Sequence, residues 1–315
     1  MAVSDAAESI GLQPSGRLFA LNSYENRVYQ LGDDDGVLWV LKFYRPARWS
    51  DAQIEEEHSF TFELARAELP VAAPIERDGM SLFEHDGLRF AAFPYIPGRA
   101  PELDQPATLT LLGRTLARMH AIGARHPFDH RPVLDLDRLG VRARAAVRAS
   151  GFVPDSLVEQ YARVSDQIIG RVRQCFENFG SLPRVRIHGD CHAGNILWRE
   201  TGPLFVDLDD CMSGPRIQDL WMFLSGDSAA QQSAWASIME GYEVFAEFDY
   251  AELTLVEALR SLRILHYASW IATRWHDPAF PRAFPWFGEA RFWERHIADL
   301  FEQLSAMDDP PILSR

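Results

Sequence analysis

Residues 187–198 read IHGDCHAGNILW, placing two histidines, an aspartate, a cysteine and an asparagine within eight positions between apolar flanks. Three kinds of chemistry can use such a set. A structural zinc site wants ligands in two paired knuckles, and no second knuckle accompanies His188, Asp190, Cys191 and His192. Mononuclear metal hydrolases gather His and Asp from several strand ends, whereas the other histidines here are scattered. A Cys–His nucleophile fits poorly, because Cys191 and His192 are adjacent and neighbouring side chains on extended backbone point to opposite sides. Spacing favours a third reading. Asn195 follows Asp190 by five residues, and Asp207 follows Asn195 by twelve at the end of the strand-like FVDLDD run. One carboxylate to accept a hydroxyl proton, with an Asn and a second Asp to hold Mg²⁺, is what phosphoryl transfer requires, because that reaction rests on positioning and charge neutralisation. Mg²⁺ takes few protein oxygens and keeps its bonds to phosphate and water, which suits Asn195 with Asp207.

Such a site also needs a cation for nucleotide phosphates, and VLKFY supplies Lys42. A lysine among apolar strand residues is otherwise an edge residue pointing to solvent. The helix-like QIEEEHSF that follows offers Glu55, Glu56 and Glu57 as partners. Glu57 shares a face with Ile54, Phe60 and Leu64, so it points at the sheet, and a buried lysine needs such a partner. Glu56 is the second candidate.

The elements that must position these residues change character along the chain. RLFALNSY (17–24), RVYQLG (27–32) and VLWVLKFY (37–44) read as strands, with a DDDG turn before the third. Residues 50–69 open with a Ser-Asp cap and read as one amphipathic helix; SLFEHDG and LRFAAFPYI (81–96) then form a second hairpin. A proline and glycine cluster at 94–106 precedes helical patterns at 108–123 and about 154–179, short extended pieces at 187–210, and helices from 219 onward. The expected fold is therefore α+β in two lobes: residues 1–96 as a small antiparallel-sheet N-lobe with one helix, and 97–315 as a larger, mainly helical C-lobe. The small, polar or proline-rich ends, MAVSDAAES and DDPPILSR, read as the places for disorder.

A net charge of -14 argues against nucleic acid as a partner, since phosphate neutralisation needs a basic surface. No apolar run reaches the ~18 residues a membrane helix needs, and no signal-peptide pattern opens the chain. Three cysteines without CxxC spacing suit a reducing compartment, so the expected location is the cytoplasm. The aromatic and proline-rich stretch 267–287 reads as C-lobe packing. Cys191 and Cys211 are inert if buried and oxidation-sensitive if exposed.

HGDCHAGN, LKFY and FVDLDD, in this order, resemble the protein-kinase-like superfamily in its aminoglycoside phosphotransferase branch, where HGDxHxxN stands in place of HRDxxxxN. LNSYENRVYQ, KFYRP, PVAAP, QDLWM and DPAFP…FPW extend the likeness over residues 21–287, toward serine/threonine protein kinases of the stress-response type. The resemblance implies Asp190 as catalytic base, Asn195 and Asp207 as Mg²⁺ ligands, Lys42 on the α/β-phosphates and Ser23 in the loop over the nucleotide. It further implies that the backbone of Phe93, Tyr95 and Ile96 meets the adenine of ATP, with His188 and Asp219 in support. The implied acceptor is a Ser or Thr of a protein, the kinase itself included. A small-molecule kinase for an amino alcohol or aminoglycoside is the rival, and a non-catalytic nucleotide-binding protein the remoter one.

Three departures from the protein-kinase pattern stand out. The nucleotide loop LNSYENR has no glycine. His192 occupies the position, two after the implied catalytic Asp, where protein kinases carry lysine; it orients the loop, contacts the γ-phosphate, or is only a loop-packing histidine. Only eleven residues separate Asp207 from Asp219, too few for an activation segment switched by phosphorylation.

Overall fold

The β-branched and aromatic runs of the first hundred residues pair into one sheet. The computed structural model describes residues 3–21 and 23–311. Strands β1 (Pro14–Ala20), β2 (Arg27–Asp33), β3 (Leu38–Phe43), β4 (Phe83–His85) and β5 (Leu88–Pro94) lie antiparallel in the order β1-β2-β3-β5-β4. The first strand starts earlier than its residue types suggest and stops at Ala20, which leaves Ser23–Asn26 outside any strand. Lys42 pairs with Val28 on one side and Ala91 on the other, so it sits on a central strand and not at an edge.

Helix α1 (Val3–Ser9) corrects the expectation of a disordered start. Its small residues Ala6 and Ala7, with Val3, are buried in one apolar cluster with Leu31, Leu41, Phe43 and Phe90 of the sheet. Alanines bury little area each, so the stretch shows no amphipathic signal, but a short face of them allows close packing on the strands.

Helix α2 (Asp51–Arg66) begins at a capping box. Ser50 accepts from the Gln53 amide at 3.3 Å, and Gln53 returns the bond to the Ser50 amide at 2.9 Å. Its buried residues, Ile54, Glu57, His58, Phe60, Thr61 and Leu64, form one face. After α3 (Pro106–Gly123) come α4 (Arg142–Ser150), α5 (Val158–Phe179), β6 (Val185–Ile187), the hairpin β7 (Ile196–Arg199) and β8 (Gly202–Phe205), and β9 (Met212–Gly214). The chain then continues through α6 (Ile217–Leu220), α7 (Ser228–Tyr242), α8 (Val256–Arg274), α9 (Ala279–Ala283) and α10 (Ala290–Asp308).

The chain divides into two compact units. The first comprises Met1–Pro132, Val185–Ser213 and Ser237–Glu247, and so holds the sheet, α2, α3 and the HGDCHAGN and FVDLDD segments. Within it, α3 and the end of α7 cross closely enough that Gly113 faces the Ile238 carbonyl and Gly241 the Thr110 carbonyl, with no room for a Cβ at either place. The second comprises Val133–Arg184, Gly214–Ala236 and Phe248–Arg315. Its core is built from α4, α5, α8 and α10, with Val147, Ile168, Leu262, Ile271 and Leu300 buried together. The stretch 267–287 packs there as expected: Phe280 and Phe287 are fully buried, and Trp270 meets Phe280 edge-on at 4.9 Å. No helix of the described residues is long and apolar enough to cross a membrane.

A buried histidine ties α2 to the sheet. His58 lies 2.7 Å from the Tyr44 hydroxyl and 2.8 Å from Ser81 Oγ, and burial pushes its pKa down to about 3. It is therefore neutral in the fold and charged in the unfolded chain below pH ~6.5. The depressed value makes its contribution complete above the unfolded pKa and lost as the pH falls toward the folded one. Denaturation followed from pH 7 to 4 is expected to show stability falling by about 1 kcal/mol per pH unit from this group, and a His58→Gln chain to show a flatter profile.

Candidate active site

A lysine on a central strand, hidden from water, must be neutralised by groups brought to it. Lys42 Nζ lies 3.0 Å from Asp207 Oδ1, 3.2 Å from Asp209 Oδ1 and 3.6 Å from Glu57 Oε1. Burial alone would lower the Lys42 pKa, but Asp207, Asp209 and Glu57 outweigh it and hold the ammonium well above its ordinary range. Burial pushes the Glu57 carboxyl up, against the pull of Lys42. The helix-face argument thus selects the glutamate that meets Lys42. Glu56 does something else: its carboxylate accepts the consecutive main-chain amides of Asp129, His130 and Arg131 at 2.5, 2.8 and 2.6 Å.

Asp209 is the hub of the site, and sequence reasoning did not single it out. Besides Lys42 it binds the Arg48 guanidinium, which also reaches Asp210 at 2.7 Å, and it accepts the Asn26 side-chain amide at 3.1 Å. Arg131 donates to the main-chain carbonyls of Asp209 at 2.5 Å and Cys211 at 2.9 Å while lying over the Trp49 ring. Burial would raise the Asp209 pKa, but Lys42, Arg48 and Arg131 hold it well below the carboxylate range. The two extra aspartates of FVDLDD were the available signal, since three carboxylates in four positions need cations near them.

The HGDCHAGN loop is joined to the Asp207 segment by main-chain bonds. His188, fully buried, donates from Nε2 to the Val206 carbonyl at 3.0 Å, and the Val206 amide donates to the Asn195 carbonyl at 3.0 Å. These contacts close the open end of the β7–β8 hairpin, where Ile196 pairs with Phe205. Asn195 Nδ2 donates to the Asp190 carbonyl at 3.0 Å, which leaves Oδ1 as the outward end of the amide. Asp207 has a left-handed backbone, φ 58°, and a half-exposed side chain. Gly189 turns the loop at φ 85°, where a Cβ would strike the Asp210 carbonyl. His192 Nδ1 accepts the Gly194 amide at 3.0 Å, which puts the ring proton on Nε2, 3.4 Å from Asp190 Oδ2. Cys191 and Cys211 are buried, the inert alternative for both.

Asn195 and Asp207 therefore present hard oxygen donors from two segments held in register, a set that fits Mg²⁺. Ser23 is half-buried, and its Oγ accepts the Asn26 amide at 3.4 Å. Phe93 lies on β5 opposite Val40. The Tyr95 amide donates to the Leu38 carbonyl at 2.9 Å and is thus committed to the sheet, while Ile96 follows it outside the strand. Asp219 belongs to the second unit, fully buried on α6. There Glu252 accepts the Ile217 amide at 2.9 Å, and burial raises its carboxyl to about 7.

The model of a phosphotransferase enzyme family matches residues 18–256. Stress response kinase A of Escherichia coli (strain K12) is 44% identical over 311 residues, covering 98% of this chain and 94% of its own. The serine/threonine protein kinase RdoA of Salmonella typhimurium (strain LT2) is 43% identical over 310 residues, with the same two coverages of 98% and 94%. Among solved structures, the amicoumacin kinase hAmiN, in complex with AMP-PNP, Ca²⁺ and Ami, superposes with a TM-score of 0.75 at 17% identity, covering 97% of this chain and 93% of that one. A microcompartment-associated aminopropanol kinase gives 0.72 at 21%, covering 96% and 97%. The two structures share the α+β fold with this chain.

Removing the hub carboxylate would leave Lys42, Arg48 and Arg131 buried with too little negative charge. Asp209→Ala is expected to cost about 3–5 kcal/mol, read as a lower denaturant midpoint, whereas Asp210→Ala, at a more exposed carboxylate, costs under about 1 kcal/mol.

Proposed function

Because the chain belongs to the phosphotransferase enzyme family, we propose that it transfers the γ-phosphoryl group of ATP to a hydroxyl, most directly a Ser or Thr of a protein or of the kinase itself. One observation carries the reading: Lys42, held by Glu57 and Asp209, stands beside Asp207, on a segment whose Val206 amide is bonded to Asn195 of the Asp190 loop.

In this reading residues 1–96 supply the nucleotide side and 97–315 the loop and acceptor side. Lys42 meets the α/β-phosphates, and Ser23 lies in the loop above them. Because the Tyr95 amide turns to Leu38, strand alternation turns the Pro94 carbonyl the other way, and adenine is met there and at the Ile96 amide, beside Phe93. Asn195 and Asp207 hold Mg²⁺, which when bound neutralises phosphate charge and the developing charge on the leaving oxygen. Asp190 accepts the acceptor's proton as its oxygen bonds to the γ-phosphorus and the bond to the bridging oxygen breaks. His192 donates to one oxygen of Asp190, leaving the other for the acceptor. His188 supports the loop from behind, and Asp219 takes the structural role that the resemblance implies for it. Three cysteines without CxxC spacing suit the cytoplasm.

The protein acceptor is supported by the name of the Salmonella relative at 43% identity. Amino alcohols or aminoglycosides form the second reading, favoured by the fold shared with the amicoumacin and aminopropanol kinases and by a net charge of -14 that suits cationic acceptors.

Radiolabelled ATP and Mg²⁺, offered with protein and with small hydroxyl acceptors in parallel, test both. Label is expected on protein serine or threonine, falling roughly 10²–10⁴-fold in Asp190→Ala. Label confined to the small acceptors moves the assignment to the second reading. Label unchanged in Asp190→Ala removes the base assignment.

A further inference from the structure

In the ATP reading, the loop that holds Ser23 to Asn26 covers the phosphates, yet LNSYENR has no glycine. Glycine-rich loops meet phosphate with amides because their peptides turn freely. Here the peptide orientations are set from outside. Arg45 Nε donates to the Glu25 carbonyl at 2.9 Å, and Arg45 Nη2 donates to the Tyr24 carbonyl at 3.0 Å. A trans peptide is planar, with N–H opposite C=O, so holding these two oxygens toward Arg45 aims the following amides the other way, that of Asn26 toward Ser23 Oγ at 3.4 Å.

The same guanidinium deals with the loop's own charge. An acidic residue in a phosphate-covering loop would repel its ligand. Glu25 Oε1 is held at 3.3 Å by Arg45 and at 3.4 Å by Arg48. Both arginines lie on the β3–α2 connection YRPARW. Pro46 keeps Arg45 extended, and Ala47 with φ 62° bends the chain so that the two converge on Glu25. The loop's far end is tied as well. Buried Asn26 donates to Asp209 Oδ2 at 3.1 Å and accepts the Arg45 amide at 3.2 Å, which joins the loop to the carboxylate that also holds Lys42.

We propose that Arg45 is a positioning residue for the nucleotide: it does for this loop what glycine does elsewhere, fixing two peptide groups so that the Glu25 amide faces the phosphates and the Asn26 amide holds Ser23 in the loop, and cancelling the charge of Glu25. The inference rests on the ATP reading given above. It concerns phosphate and not the base, so its signature is a change in the ratio of ATP to adenosine affinity.

Isothermal titration of the full-length chain with Mg-AMP-PNP and, separately, adenosine tests it. Arg45→Ala is expected to bind AMP-PNP about tenfold more weakly with adenosine affinity unchanged. Arg45→Lys, which keeps a charge beside Glu25 but cannot span two carbonyls, is expected to fall between. It carries the test if Arg45→Ala does not fold. Wild-type affinity for AMP-PNP in these variants, or an equal loss for both ligands, overturns the inference while leaving the phosphotransferase reading intact. A wild-type chain that binds no AMP-PNP overturns that reading, and this inference with it.

Discussion

A lysine ammonium in the middle of a sheet, shut off from water, constrains the whole first unit. Dehydrating such a charge costs several kcal/mol unless carboxylates come to it in good geometry. Lys42 obtains three, from two parts of the chain far apart in sequence: Glu57 from α2, Asp207 and Asp209 from the segment after β8. Three anions on one cation overshoot, and Arg48 and Arg131 restore the balance at Asp209 and its main chain. The cap at Ser50, the His58 bonds and the Glu56 contacts all serve to deliver one helix face to this point.

The site is assembled as one bonded network and not as separate catalytic letters. His188 and Asn195 join the Asp190 loop to the Asp207 segment, and Asp209 joins that segment to the sheet and to the loop ending at Asn26. Displacing any one of these segments therefore disturbs Lys42, Asn195, Asp207 and Asp209 together. The eleven residues between Asp207 and Asp219 leave little chain for a long movable segment of the kind larger kinases use as a switch.

Much of this was legible in the sequence, for definite reasons. Lys42, Asp190, Asn195 and Asp207 stood out because charged or polar residues at fixed spacing in apolar surroundings need a role. Glu57 was separated from Glu55 and Glu56 by helical periodicity alone, and the geometry at Lys42 agrees. What stayed hidden depends on partners distant in sequence. Asp209 looks like a repeat of its neighbours until Arg48 and Arg131 are seen beside it. Arg45 and Arg48 were not singled out in the sequence, and only folding brings Glu25 between them. Helix α1 escaped because alanines give a weak periodic signal although they pack well.

The three amide bonds to Glu56 bear on how many shapes this protein samples. In kinases that switch by swinging the helix after the third strand, the inward and outward arrangements lie close in free energy. Here an outward swing would break three charge-assisted bonds to a single carboxylate and the Lys42 contact as well. At about 1.5 kcal/mol each, the three amide bonds alone hold the outward arrangement to roughly one molecule in two thousand. So one-sided an ensemble keeps α2 in a single arrangement against its partners.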